Sequence, residues 1–168
     1  IKQTNVMAVF VGSANGHESF RDQLLQEASS LGLEGRVKWF PPCSDISAAY
    51  KLADIIVCPS LAPEGFGRLM AEALAMEKPI IASNHGAAPE IIEAGTGCLI
   101  PPNDAAALAQ ALNEKLQLSQ EQLDERGHIG RERIKSCFSK EHMAAKEIEV
   151  YKELLYSSDM EIPCFSPL

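Results

Sequence analysis

What the chain lacks narrows its class. Among its 168 residues there is no apolar run of membrane-spanning length. Its first residues, Ile1-Lys2-Gln3-Thr4, carry no signal-peptide pattern. The five cysteines (Cys43, Cys58, Cys98, Cys137 and Cys164) are odd in number and far apart. With no Cys-x-x-Cys pair they support neither a zinc ribbon nor a disulfide framework. Free thiols, three of them in apolar sequence surroundings, suit a reducing cytosol. Positive charge is scarce: 15 Lys plus Arg stand against 23 Asp plus Glu, a net charge of −8. Such a surface repels polyphosphate backbones and argues against a general nucleic-acid binder. The deficit is spread along the chain, −5 over residues 1–112 and −3 over 113–168, so neither half is set apart by charge. Internal repeats, low-complexity stretches and interdomain linkers are also missing. What is present is 46% hydrophobic and 23% charged residues with mean hydropathy near zero, the profile of one globular domain with a sizeable core.

Short apolar runs alternate with longer helical patterns, the mark of βαβ units. Val6 to Val11, Arg36 to Phe40, Asp54 to Cys58, Pro79 to Ser83 and Cys98 to Ile100 read as strands. Between them, Asn15 with Glu18 has the spacing of a capping box, and Gly32 stands where that helix should stop. Ser44 to Leu52 and Leu69 to Met76 read as further helices, followed by a short one through Ile91-Ile92. Beyond Ile100 the pattern is helical throughout. Asn103 or Asp104 can cap a helix with Leu108, Leu112 and Leu116 in register, and Ser119 with Gln122 forms another capping-box candidate. Ser139 can cap a last helix with Ala144, Ile148, Tyr151 and Leu155 on one face. The predicted fold is α/β, a Rossmann-like doubly wound parallel sheet with C-terminal helices over residues 1–156. Residues 157–168, with two prolines, read as an irregular tail.

Ligands of such sheets bind beyond the carboxyl ends of the strands, so the loops there carry the chemistry. The segment after the third strand, Pro63-Glu64-Gly65-Phe66-Gly67-Arg68-Leu69-Met70-Ala71-Glu72, is the most informative. Two glycines flanking an aromatic before a helix let backbone approach a ligand. The free N–H groups and the dipole of the helix's first turn favour a phosphate. Glu64 in the loop and Glu72 one turn into the helix can converge on one elongated ligand, whose sugar hydroxyls would occupy their acceptors. The plainer reading is that both carboxylates only favour a helix N-terminal end.

A longer string decides which reading to pursue. It runs through Asp54-Ile-Ile-Val-Cys-Pro-Ser60, Pro63-Glu-Gly-Phe-Gly and Glu72-Ala-Leu-Ala-Met-Glu-Lys-Pro-Ile-Ile-Ala-Ser83, then Gly86, Pro89-Glu90 and Gly97 to Pro102. It resembles the C-terminal, donor-binding domain of the GT-B glycosyltransferases of family 4, with the Glu-x7-Glu element, the following strand and the Gly-x-Leu-Ile-Pro-Pro-x-Asp segment in the family's order. The resemblance extends from about Val9 to Leu155. It implies one half of a GT-B fold and a hexosyltransferase-type activity that retains anomeric configuration. Glu64 would be the catalytic-site carboxylate on the donor sugar's hydroxyls and Glu72 the ligand of the ribose. Gly65, Phe66 and Gly67 would wrap the sugar, with Arg68 and Leu69 near the diphosphate. Phe40, Cys43 and Asp45 would lie at the base, although Pro41-Pro42 departs from the family's usual glycine.

The donor implied is a UDP-, GDP- or ADP-linked sugar, with no metal or other cofactor. The acceptor would be a glycan or lipid-linked glycan, as in lipopolysaccharide or other polysaccharide synthesis, held by an N-terminal domain that this sequence does not contain. The family's Gly-Arg strand end and following Lys, which neutralise the diphosphate, are missing too. The isolated chain, without a starting methionine, is therefore expected to be an inactive fragment of a cytoplasmic enzyme acting in the cytosol or at the inner face of the membrane. The last helix would be the one that braces the N-terminal domain. Two rivals stand beside this reading, a sugar-nucleotide epimerase of the same architecture and a non-catalytic nucleotide-binding α/β module.

Other features have plainer readings. His85, after the fourth strand, reads as a satisfied loop histidine on the cleft side. His17, His128 and His142 read as surface residues without metal spacing. Arg126, Arg131, Arg133 and Lys135 read as a solvated helix face, and Trp39 as a core residue beside the base loop. Gly12-x-x-x-Gly16 reads as a strand-to-helix turn.

Overall fold

A computed structural model describes residues 5–156. Strands β1 (Ala8–Val11), β2 (Val37–Phe40), β3 (Ile56–Cys58), β4 (Ile80–Ser83) and β5 (Gly97–Ile100) alternate with helices. These are α1 (Glu18–Ser30), α2 (Ile46–Leu52), α3 (Arg68–Ala75) and α4 (Ala88–Ile91), followed by α5 (Ala105–Lys115), α6 (Gln120–Cys137) and α7 (Lys140–Tyr156). All strand pairings are parallel, β1 with β2 and β3-β4-β5 in that order. The βα alternation thus builds the expected parallel α/β architecture.

β4 is the centre of the core and is buried along its whole length. Period-2 alternation sends Ile80 and Ala82 to one face, with Leu74 of α3 and Ile91 of α4. Ile81 goes to the other face, with Ala111 of α5 and Ile100. Helices therefore cover both faces, which is why β4 reads as an unbroken apolar run.

The five strands do not form one continuous sheet. β1 and β3 are unpaired with each other, and a cavity of about 640 Å³ lies between residues 5–9 and 52–57, lined also by Leu112, Lys115 and Leu123. β1, with Val9 and Val11 exposed, runs along it. Strands bond only when about 4.8 Å apart, and here the intervening space is open. Burial lowers the Lys115 ammonium below its usual range, and Arg126 adds to this.

Several local expectations change. Asn15 does not cap α1: it sits in the left-handed region (φ 49°), its N–H donating to Ser13 Oγ, and the helix begins at Glu18 after His17. A short polar side chain serves a turn as readily as a cap. Trp39 is half-buried, stacked on Phe10 at 5.3 Å with its indole N–H donating to the Gly12 carbonyl, because the β1-β2 pair keeps an open face. Arg133 is not a solvated side chain. Its guanidinium is largely covered, donates to the carbonyls of Glu90 and Ile91 and pairs with Glu93, tying α6 to α4. His142 is half-buried. Asp104, Ser119 with Gln122, and Ser139 do cap α5, α6 and α7, whereas α2 starts at Ile46, capped by Asp45, and not at Ser44. On α7, Ile148, Tyr151 and Leu155 are all exposed. The tail and Cys164 lie outside the described residues.

Candidate functional site

The β3–α3 loop and the turn after β4 meet at one end of the sheet. Gly86, in the left-handed region at φ 56°, lies against the loop so closely that a Cβ there would stand 2.5 Å from the Glu64 carbonyl oxygen. The Ala87 N–H donates to that oxygen at 3.1 Å. The loop bearing Glu64 is thus fastened to the end of the buried strand β4.

Glu64 presents its two carboxylate oxygens differently. Oε1 accepts from Ser60 Oγ at 2.6 Å and from Cys58 Sγ at 3.5 Å. Burial pushes the Cys58 thiol up, so it remains a neutral donor. Oε2 has no hydrogen-bond partner among the described residues and faces Gly67, where a Cβ would be 3.4 Å away. Gly67 itself is buried, sits at φ 74° and begins α3 without a side-chain cap. The first-turn N–H groups of Arg68 and Leu69 have no partner among the described residues. Uncapped N–H groups with the positive end of the helix dipole beside them suit a phosphate.

Glu72, on the second turn of α3, is held from two sides. Oε2 accepts from Tyr50 Oη at 3.1 Å, and Oε1 pairs with Arg68 at 3.0 Å. The Arg68 guanidinium is almost fully exposed, so this pair contributes little and yields easily to a ligand. Tyr50, on α2, is buried. Burial pushes its phenol up to about 12, with the hydrogen bond to Glu72 and the Glu72 charge adding to the rise. Nothing in the sequence marks Tyr50: its contact spans 22 residues, and only the apolar periodicity of α2 hints that it turns inward.

The residues expected at the base lie at the other end of α2. Asp45 caps that helix by accepting from the Ala48 N–H at 3.0 Å, and Cys43 Sγ donates to the Asp45 carbonyl at 3.2 Å. Phe40 ends β2 with its ring exposed. Asp45 and Tyr50 are five positions apart, roughly 7–8 Å along a helix axis, so α2 is the spacer between this segment and Glu72. No hydrogen bond or ion pair joins Phe40, Cys43 or Asp45 to either glutamate among the described residues. Phe66 packs its ring on Phe138 at 5.8 Å, which leaves its backbone to the loop. His85 follows β4 as expected but is only half satisfied: its Nε2 lies 2.8 Å from the Ser60 carbonyl, while its buried Nδ1 has no partner among the described residues.

Two glutamates flanking a bare helix start thus stand at the carboxyl end of a parallel sheet, where α/β domains of this class take their ligands. The chain belongs to the glycosyl transferases group 1 family, whose model matches residues 1–133. It is 33% identical over 111 residues to the O-antigen chain mannosyltransferase C of Escherichia coli, covering 64% of this chain and 30% of that protein. A solved glycosyltransferase from Rickettsia africae superposes with a TM-score of 0.83 at 33% identity, over 94% of this chain and 42% of that one. Anabaena Alr3699/HepE, solved in complex with UDP and glucose, superposes with a TM-score of 0.80 at 27% identity, over 90% and 41% of the two chains. The structure matches the C-terminal domains of GT-B glycosyltransferases. The chain spans less than half the length of the curated relatives it matches.

Proposed function

We propose that this chain is the donor-binding C-terminal half of a family 4 GT-B glycosyltransferase, and that it holds a nucleoside-diphosphate sugar along the start of α3. The observation that carries this reading is the free Oε2 of Glu64 beside Gly67 and the unpartnered N–H groups of Arg68 and Leu69. Glu64 Oε2 accepts from hydroxyls of the donor sugar. The backbone of Gly65, Phe66 and Gly67 closes around that sugar, and the first turn of α3 faces the diphosphate. Glu72 accepts from the ribose hydroxyls, which replace Arg68. The base lies towards Phe40, Cys43 and Asp45.

As charge develops on the diphosphate leaving group, the helix N-terminus stabilises it without reorganising, and no metal is required of this half. The sugar is transferred with retention of configuration to a glycan or lipid-linked acceptor. That acceptor is bound by a second domain, and the exposed apolar face of α7 braces it. The E. coli relative's O-antigen role supports a cell-envelope polysaccharide as the product, made on the cytoplasmic side. No helix among the described residues is long and apolar enough to cross a membrane. By itself the chain binds nucleoside diphosphates weakly and transfers nothing.

The test of the Glu64 assignment compares free nucleotide with nucleotide-sugar. Calorimetric titration with the tightest-binding of UDP, GDP and ADP, and with its glucose and mannose conjugates, gives the gain in affinity due to the sugar. Glu64→Gln should remove most of that gain, roughly 1–3 kcal/mol for charge-assisted hydrogen bonds. Affinity for the free nucleotide should be unchanged. Equal losses for both ligands would return Glu64 to a helix-terminus charge.

A further inference from the structure

The side chain of Glu64 does not orient itself. Its Oε1 is taken by Ser60 Oγ at 2.6 Å, a short bond to a charged acceptor. Ser60 in turn is fixed from behind, because its carbonyl oxygen lies 2.8 Å from His85 Nε2. A carbonyl only accepts, so Nε2 carries the proton in this contact. His85 belongs to the turn after β4, the same turn whose Gly86 and Ala87 hold the Glu64 backbone. Backbone and carboxylate of Glu64 are therefore referred to one rigid element, the end of a fully buried strand.

In the tautomer that donates from Nε2, Nδ1 carries the lone pair. That atom is buried and has no partner among the described side chains. His85 also lines a small void of about 10 Å³ together with Ser60, Glu64 and Ser83, among others.

We propose that Ser60 and His85 are positioning residues for Glu64: His85 sets Ser60, and Ser60 engages Oε1 so that Oε2 alone is presented to the donor sugar beside Gly67. The inference rests on the reading of Glu64 given above. It predicts a selective defect, since loss of either residue leaves the phosphate-facing backbone of α3 in place but lets the carboxylate swing.

The test measures the ratio of affinities for nucleotide-sugar and free nucleotide on this chain, using the same conjugates. Ser60→Ala should lower that ratio roughly tenfold, in line with one lost charge-assisted hydrogen bond. Ser60→Thr, which keeps the hydroxyl, should restore most of it. His85→Phe, which keeps an aromatic side chain but has no nitrogen, should lower it. His85→Gln, which retains a donor, should lower it less. In a Glu64→Gln background Ser60→Ala should change nothing further. If Glu64→Gln lowers the ratio while Ser60→Ala and His85→Phe leave it at the wild-type value, the positioning role is wrong and the reading of Glu64 stands. If Glu64→Gln leaves the ratio unchanged, or the wild type shows no gain from the sugar, that reading falls and this inference with it. A Ser60→Ala protein that loses both ligands equally would also overturn it, because a structural defect does not select the sugar.

Discussion

At the scale of single residues, each of the two glutamates is tied to a hydroxyl from elsewhere, Glu64 to Ser60 and Glu72 to Tyr50. The Tyr50 bond carries a pH dependence whose sign is fixed. Its phenol is held up at about 12, above the ordinary 10 of the unfolded chain. The folded state thus keeps the proton longer. The contribution is complete below pH 10 and is lost as the pH rises through 12. Stability in urea should fall by about 2 kcal/mol across that interval, and Tyr50→Phe should flatten the fall. Near-ultraviolet phenolate absorbance should show one tyrosine ionising near 12, absent from the variant. Both glutamates were legible in the sequence because loop, glycines and helix start are local features. Tyr50 and the bonding of Arg133 to α4 were not, since each depends on chain segments 22 or about 40 residues away.

At the scale of elements, α3 is the part on which the site depends, and α6 is what holds α3 in place. The two approach closely because α6 has glycines on the contact. A Cβ at Gly127 would lie 2.0 Å from the backbone oxygen of Glu77, and one at Gly130 would lie 2.7 Å from a methyl of Leu74. Alanine in a helix interior ordinarily gains about 0.5–1 kcal/mol over glycine. At Gly127 that gain should be outweighed, because backbone has to move. Gly127→Ala should destabilise by about 1–3 kcal/mol, the range for overpacking, read as a lowered urea midpoint. Gly130→Ala should cost less, since a side chain can yield. A Gly127→Ala protein more stable than wild type would show that this contact is loose. Helix starts followed the capping residues at α5, α6 and α7, where side chain and backbone partner lie within three residues. The start of α1 did not, because Asn15 was drawn into the Ser13 turn.

At the scale of the whole molecule, the alternation of apolar runs and helical patterns carried the α/β class and the parallel pairing. It did not carry the break between β1 and β3, because hydropathy reports which residues are buried and not which strands are neighbours. The same limit applies to α7: its apolar stripe is evident in the sequence, while the sequence is silent on what, if anything, it meets. The site survives this division, since Glu64, Glu72, Tyr50 and His85 all depend on the well-packed side built around β4. The central claim is that Glu72 receives a ribose, and one measurement addresses it directly. Wild type and Glu72→Gln are titrated by calorimetry with the tightest-binding nucleoside diphosphate and with its 2′-deoxy form. The substitution should weaken binding of the ribonucleotide by roughly 1–3 kcal/mol, while the deoxy form, already weak on the wild type, should lose much less. Equal losses for the two ligands would contradict the assignment and leave Glu72 as a charge at a helix start.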